Sequence, residues 1–276
     1  MLYLKKFYRT SLKFLQILVV SLITPFVNLL GFVLSPTLER FYFFKFKFNK
    51  DTRRIIFDTR SNKNFNKIFI DSTLSNSKLC ELGKKNPCDK SPINTKFHRH
   101  GYTSFYNILF ATLVNKKINF AEIGIWKNES IKMWRNYFKK AKIYGFEYYD
   151  DLIKNAKKDR LKKVFIKKIN VKEGKNIFES FKKTNIKFDI IIDDSTHLFD
   201  DQIKIINNVH KFLKSGGYLI VEDIHKNKKA NVEENYFKKL MNVRKYFEDI
   251  FFVDTNHINK YSAKYKNDKL LVFVKK

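Results

Sequence analysis

FDIIIDDSTH, residues 188–197, sets three consecutive isoleucines directly before Asp193, Asp194 and His197. A short β-branched run that turns polar at its end reads as a strand buried on both faces, with its carboxyl tip at a crevice. Further along, GGYLIVEDIH (216–225) repeats the pattern: a Gly-Gly turn, an apolar strand, then Glu222, Asp223 and His225. Adjacent strand tips of this kind converge four carboxylates and an imidazole. Such a cluster repels itself unless a divalent cation or protons neutralise it. Oxygen ligands favour Mg²⁺, Mn²⁺ or Ca²⁺ over zinc; acids that cap helices or pair with lysines are the structural alternative.

Outward from these two runs, strand-like and helix-like segments alternate, the sequence form of an α/β sheet. Strands are predicted at 118–123, 142–147, 164–170, 187–193, 218–222, 250–254 and 270–274. Helices are predicted at 102–113, 130–140, 150–158, 177–183, 200–213 and 233–247. The last two strands follow one another without a helix, which predicts an antiparallel hairpin at one edge. The expected fold is a seven-stranded, mostly parallel, Rossmann-like sheet ending in that hairpin.

Ligands in open α/β sheets lie beyond the carboxyl ends of strands, beside helix N-termini. FAEIGIWKNES (120–130) fits such a site: Gly124 lets the backbone approach a cofactor, and Glu122 is placed to accept from its ammonium group. Glu147 ends the next strand, IYGFE, roughly 20 positions beyond the glycine, the offset at which an acid accepts from ribose hydroxyls.

Together with the upstream stretch CDKSPINTKFHRHGYTSFY (88–106), these runs resemble the macrocin/mycinamicin-type sugar O-methyltransferases and their bacterial relatives. The resemblance covers about residues 88–276. It implies a class I methyltransferase fold and S-adenosylmethionine (SAM) as methyl donor. On the matching positions it implies cofactor contacts from Glu122, Gly124, Glu147 and Asp193. Divalent-metal ligands, for Mg²⁺ or Mn²⁺, would be Asp194, Glu222 and Asp223, with His197 as general base. Two departures stand out: Lys127-Asn128-Glu129-Ser130 replaces the family's Gly-Gly-Ser loop, and Glu222 stands where many relatives carry Asp. Sugar specificity does not carry over with the resemblance; a sugar, glycan or lipid-linked hydroxyl is the acceptor expected where a sugar-type site is joined to a membrane-associated N-terminus.

The remaining features bear on location and partners. Residues 14–34 (FLQILVVSLITPFVNLLGFVL) carry no charge and are long enough to cross a bilayer as a helix, and FYFFKFKF (41–48) suits a headgroup interface. The expected organisation is therefore a membrane-associated segment with a hydrophobic helix at 1–50, a polar connector at 51–96, and the methyltransferase domain at 97–276. Because SAM is made in the cytoplasm, that domain is expected to face it. The net charge of +29 admits an anionic partner such as RNA, but lysines are spread along the chain rather than gathered into a footprint. Asp-Asp-Ser-Thr-His, where base-modifying enzymes grip a flipped base, argues against nucleic acid. A non-catalytic SAM-fold binding protein is the third reading. Only Cys80 and Cys88 are present, too few and wrongly spaced for a disulfide framework or a Cys-type metal site.

Overall fold

The computed structural model describes residues 65–94, 98–226, 228–256 and 268–276, all within the second of two compact units, Arg53–Lys276. In chain order the strands are β1 (Asn66–Asp71), β2 (Asn119–Ile123), β3 (Lys142–Glu147), β4 (Val164–Lys168), β5 (Phe188–Asp193), β6 (Leu213–Val221), β7 (Phe247–Asn256) and β8 (Lys269–Lys275). The helices are α1 (Lys78–Lys85), α2 (Tyr102–Leu109), α3 (Glu129–Tyr137), α4 (Asp150–Lys158), α5 (Gly174–Lys182), α6 (Phe199–Val209), α7 (Glu233–Lys239) and α8 (Met241–Arg244).

Period-two alternation along the strands builds two cores. Ala121, Ile123 and Ile191 face one side of the sheet, where Ile177 and Phe181 of α5 and Ile205 and Val209 of α6 cover them. Phe120, Ile190 and Ile192 face the other, under Tyr106 of α2 and Trp134 of α3. Burial on both faces explains why β5 reads as an unbroken apolar run.

The strands form one sheet in the order β1-β7-β8-β6-β5-β2-β3-β4. Neighbours are parallel except β8, which runs antiparallel to both β6 and β7. The Rossmann-like, mostly parallel fold is as expected, with two corrections. There are eight strands rather than seven, because NKIFID, inside the expected connector, pairs in parallel with β7 along its whole length. The antiparallel pair β7–β8 is consequently not at the edge: β8 is wedged between β6 and β7, and β1 closes that side.

The expected membrane-associated localisation is corrected to what the described residues show: no helix among them is long and apolar enough to cross a membrane. The longest of these, α6, has 11 residues, against the ~20 a bilayer core requires. The run at 14–34, with its expected hydrophobic helix, lies outside the described residues.

Strand order reverses between β2 and β5, which puts a topological switch point at the tips of β2, β3, β5 and β6.

Candidate active site

The chain leaving β2 passes directly beneath the tip of β5. The Asp194 N–H donates to the Ile123 carbonyl at 2.8 Å, and the Gly124 N–H donates to the Phe146 carbonyl at 2.8 Å. Gly124 has φ +84°, and a Cβ placed there would stand 2.2 Å from the Asp194 carbonyl oxygen. The crossing of β2 and β5 therefore demands glycine before any ligand is considered. Gly124→Ala is expected to cost about 1–3 kcal/mol from the left-handed backbone alone, with the clash added. A urea midpoint unchanged from wild type would show that the crossing tolerates a side chain. Further round the loop, Asn128 takes the left-handed backbone that opens α3 (φ 72°), a conformation asparagine adopts more readily than most residues.

Glu147, at the tip of β3, holds this loop. Its Oε2 accepts from the N–H groups of Ile125 (3.2 Å) and Trp126 (3.1 Å), while Oε1 accepts from those of Tyr148 (2.7 Å) and Tyr149 (3.2 Å). The acid thus anchors the β2 loop to the start of α4 and faces the cavity beside them.

At the neighbouring tips the carboxylates are sorted by a lysine from outside the sheet. Lys90, on the segment between α1 and α2, is 1% exposed. Its Nζ lies 2.5 Å from Asp194 Oδ2, 2.5 Å from Glu222 Oε2 and 3.4 Å from Glu122 Oε1. The Glu122 Oε2 accepts from the Ser130 hydroxyl (2.8 Å); burial pushes its pKa up to about 7, with Lys90 opposing. Burial likewise pushes Asp193 up to about 6, and its Oδ1 accepts from the N–H and hydroxyl of Ser195. Burial would also raise Asp194, but Lys90 and His197 outweigh it and hold the carboxyl at about 2.

Two tyrosines complete the sorting. Tyr102 and Tyr106, one turn apart on α2, share a helix face. The Tyr102 hydroxyl donates to Asp223 Oδ1 at 2.7 Å, and the Tyr106 hydroxyl donates to Glu222 Oε1 at 2.6 Å. His100 stacks on Tyr102 with its Nδ1 3.1 Å from Asp268 Oδ1 and 3.6 Å from Asp223 Oδ1.

His197 stands between two aspartates, Nε2 3.2 Å from Asp194 Oδ1 and Nδ1 3.6 Å from Asp223 Oδ2. Burial would lower its pKa, but Asp223 and Asp194 dominate and lift it to about 10, so the ring is held as an imidazolium.

A cavity of about 760 Å³ opens over these tips, within the range of small-molecule sites. Five of the eight residues expected from sequence line it: Gly124, Glu147, Asp194, His197 and Asp223. Glu122, Asp193 and Glu222 are buried behind it. Ligand atoms of Asp194, His197 and Asp223 lie within 4.8 Å of one another, which fits a divalent cation that takes one or two carboxylates and leaves positions for water or substrate. The Glu222 oxygens accept from Tyr106 and Lys90. Sequence reasoning missed Lys90, His100, Tyr102 and Tyr106. Their stretch stood out only as part of a resemblance, and the available signal was the acid cluster's need for a cation.

The sequence profile described as "Methyltransferase domain" matches residues 128–270, more than half of the chain. Over 138 residues the chain is 26% identical to 8-demethyl-8-(2-methoxy-alpha-L-rhamnosyl)-tetracenomycin-C 3'-O-methyltransferase of Streptomyces olivaceus, covering 45% of this chain and 32% of that protein. Mycinamicin VI 2''-O-methyltransferase of Micromonospora griseorubida is 24% identical over 165 residues, covering 53% and 38%. The chain thus spans roughly a third of the length of these curated relatives. A solved mycinamycin-pathway methyltransferase, MycE, in complex with Mg, SAH and mycinamycin VI, superposes with a TM-score of 0.54 at 17% identity. That match covers 73% of this chain and 55% of the other, and the likeness is one of fold.

Proposed function

Because the chain belongs to the methyltransferase-domain family, we propose that it is a SAM-dependent O-methyltransferase acting on a hydroxyl of a sugar or glycosylated small molecule. The observation that carries this reading is the grouping of Asp194, His197 and Asp223 in the lining of a cavity that Glu147 and its loop also line. The first group suits a hydroxyl and its proton, the Glu147 loop a nucleoside. The names of the curated relatives, O-methyltransferases of rhamnosyl and macrolide sugars, support the acceptor class.

When bound, SAM supplies a sulfonium-activated methyl group, and a divalent cation supplies positive charge that lowers the pKa of the acceptor hydroxyl and of His197 together. The chain's own contribution is orientation and proton handling. Glu147 fixes the backbone of Ile125 and Trp126, so the loop that would hold the nucleoside is preorganised. Asp194 and Asp223 hold the imidazole from both sides. Nε2 is engaged with Asp194 at hydrogen-bond distance, whereas the 3.6 Å contact of Nδ1 with Asp223 is too long for a hydrogen bond. Nδ1 is therefore where the imidazolium would lose its proton to solvent and where the neutral ring would then take the acceptor's, while Nε2–H keeps donating to Asp194.

The test is transfer of labelled methyl from SAM to a panel of rhamnosides and other deoxysugar glycosides, with oligonucleotides and catechols as controls. Label retained as a methyl ether on the released sugar is the expected result. Label on RNA or catechol alone would reject the acceptor class.

A further inference from the structure

Glu147 holds only the first half of the loop between β2 and α3. The second half turns at Asn128, whose N–H donates to the Ile125 carbonyl at 2.7 Å and whose carbonyl accepts from the Lys132 N–H at 3.1 Å. Two residues other than glycine are left-handed in this turn, Trp126 at φ 45° and Asn128 at φ 72°. Such backbones persist only where their surroundings enforce them. For Trp126 the enforcement is its N–H bond to Glu147. Asn128 is 1% exposed, and its side chain depends on a second acid. Its Nδ2 donates to Asp159 Oδ2 at 2.8 Å, while its Oδ1 has no partner among the described residues.

Asp159 caps the C-terminus of α4, the end at which a helix dipole favours a cation. It stands there against the dipole, compensated by two donors. Burial would raise its carboxyl, but the hydrogen bonds from Lys132, at 2.8 Å, and from Asn128 outweigh it and hold the carboxyl below its usual range. Without Asp159 the buried Asn128 amide would be left without an acceptor, which is costly. To regain one, Asn128 must leave its left-handed turn, and its neighbours move with it. Those neighbours, Trp126, Lys127 and Glu129, line the cavity, whereas Asn128 and Asp159 stand outside the lining.

From this geometry we propose that Asp159 is a positioning residue for the cofactor loop, acting through Asn128 without touching the cavity. Glu147 fixes the entry of the loop at Ile125 and Trp126, and Asp159 fixes its exit into α3. The loop is thus held at both ends by acids that flank α4. The inference rests on the reading of this loop as the one that holds the nucleoside of SAM.

Calorimetric titration with S-adenosylhomocysteine tests it. Asp159→Ala is expected to weaken binding about three- to tenfold, because only the fraction of loops still in the left-handed turn is competent. In Asn128→Gly protein, where glycine keeps the turn with no side chain to satisfy, the same Asp159→Ala change should alter affinity less than about twofold. Asp159→Asn keeps an acceptor for the amide and should stay within about twofold of wild type. Lys132→Met removes the other partner of Asp159 and should likewise stay within about twofold. A general loosening of α3 against α4 would instead cost as much in the Asn128→Gly background as in wild type. Equal losses in the two backgrounds would overturn the proposal and leave the SAM reading in place, as would wild-type affinity in Asp159→Ala. If Asp159→Ala alone does not fold, a folded and ligand-binding protein with both changes is the supporting result and its failure the contrary one. Wild-type protein that binds no S-adenosylhomocysteine would overturn the SAM reading, and this proposal with it.

Discussion

Replacing His197 by alanine is expected to slow methyl transfer by about 10²–10⁴-fold, the usual contribution of a positioned base, while SAM affinity stays near that of wild type. The ring lines the cavity between Asp194 and Asp223, and the Glu147 loop is held without it. An effect confined to kcat, with KM for SAM little moved, is the signature of an interaction made at the reacting oxygen. A His197→Ala rate within a few-fold of wild type, on any acceptor found in the label-transfer panel, would remove the imidazole from the chemistry. His197→Asn should be nearly as slow, because an amide keeps the contact to Asp194 but cannot take a proton at neutral pH.

Turnover should also be lost in a chelator and restored by Mg²⁺ or Mn²⁺, with SAM still bound. The argument is electrostatic. Asp194 and Asp223 aim one oxygen each at the space around His197, and unbalanced carboxylates beside a hydroxyl oppose its ionisation. A divalent ion held by these carboxylates would reverse that field. Asp223→Asn should mimic the chelator in activity. Asp223 also accepts from Tyr102, so its melting temperature is the control for a general loosening of the tip. Full activity in the presence of chelator would mean that His197 and the two aspartates work without an ion.

Much of this arrangement was legible before any coordinates. The run Ile190–Ile192 followed by paired acids fixes a buried central strand and its tip, because only burial on both faces favours such a run and only a strand end tolerates the acids. Gly124 was legible as a constrained position but for a different cause: its demand comes from the Asp194 carbonyl beneath it, a contact across the sheet that local spacing does not encode. Likewise β1 was hard to separate from a connector, since NKIFID is a short edge strand whose partner, β7, lies far along the chain. Lys90 was invisible for a compositional reason. In a chain with 56 lysines and arginines, nothing local marks out this lysine, whose partners are Glu122, Asp194 and Glu222. Its role follows from the fold, which lays the segment before α2 across the strand tips.

Binding of the cofactor product, S-adenosylhomocysteine, to the purified protein by calorimetry is the most direct test of the central claim, because it requires no acceptor. One molecule per chain is predicted to bind to wild type. Glu147→Ala should lose about 1–3 kcal/mol of that affinity as the Ile125–Trp126 floor and a charged acceptor are removed together. Wild-type protein that binds no S-adenosylhomocysteine, or a Glu147→Ala variant that binds it as tightly as wild type, would contradict the account.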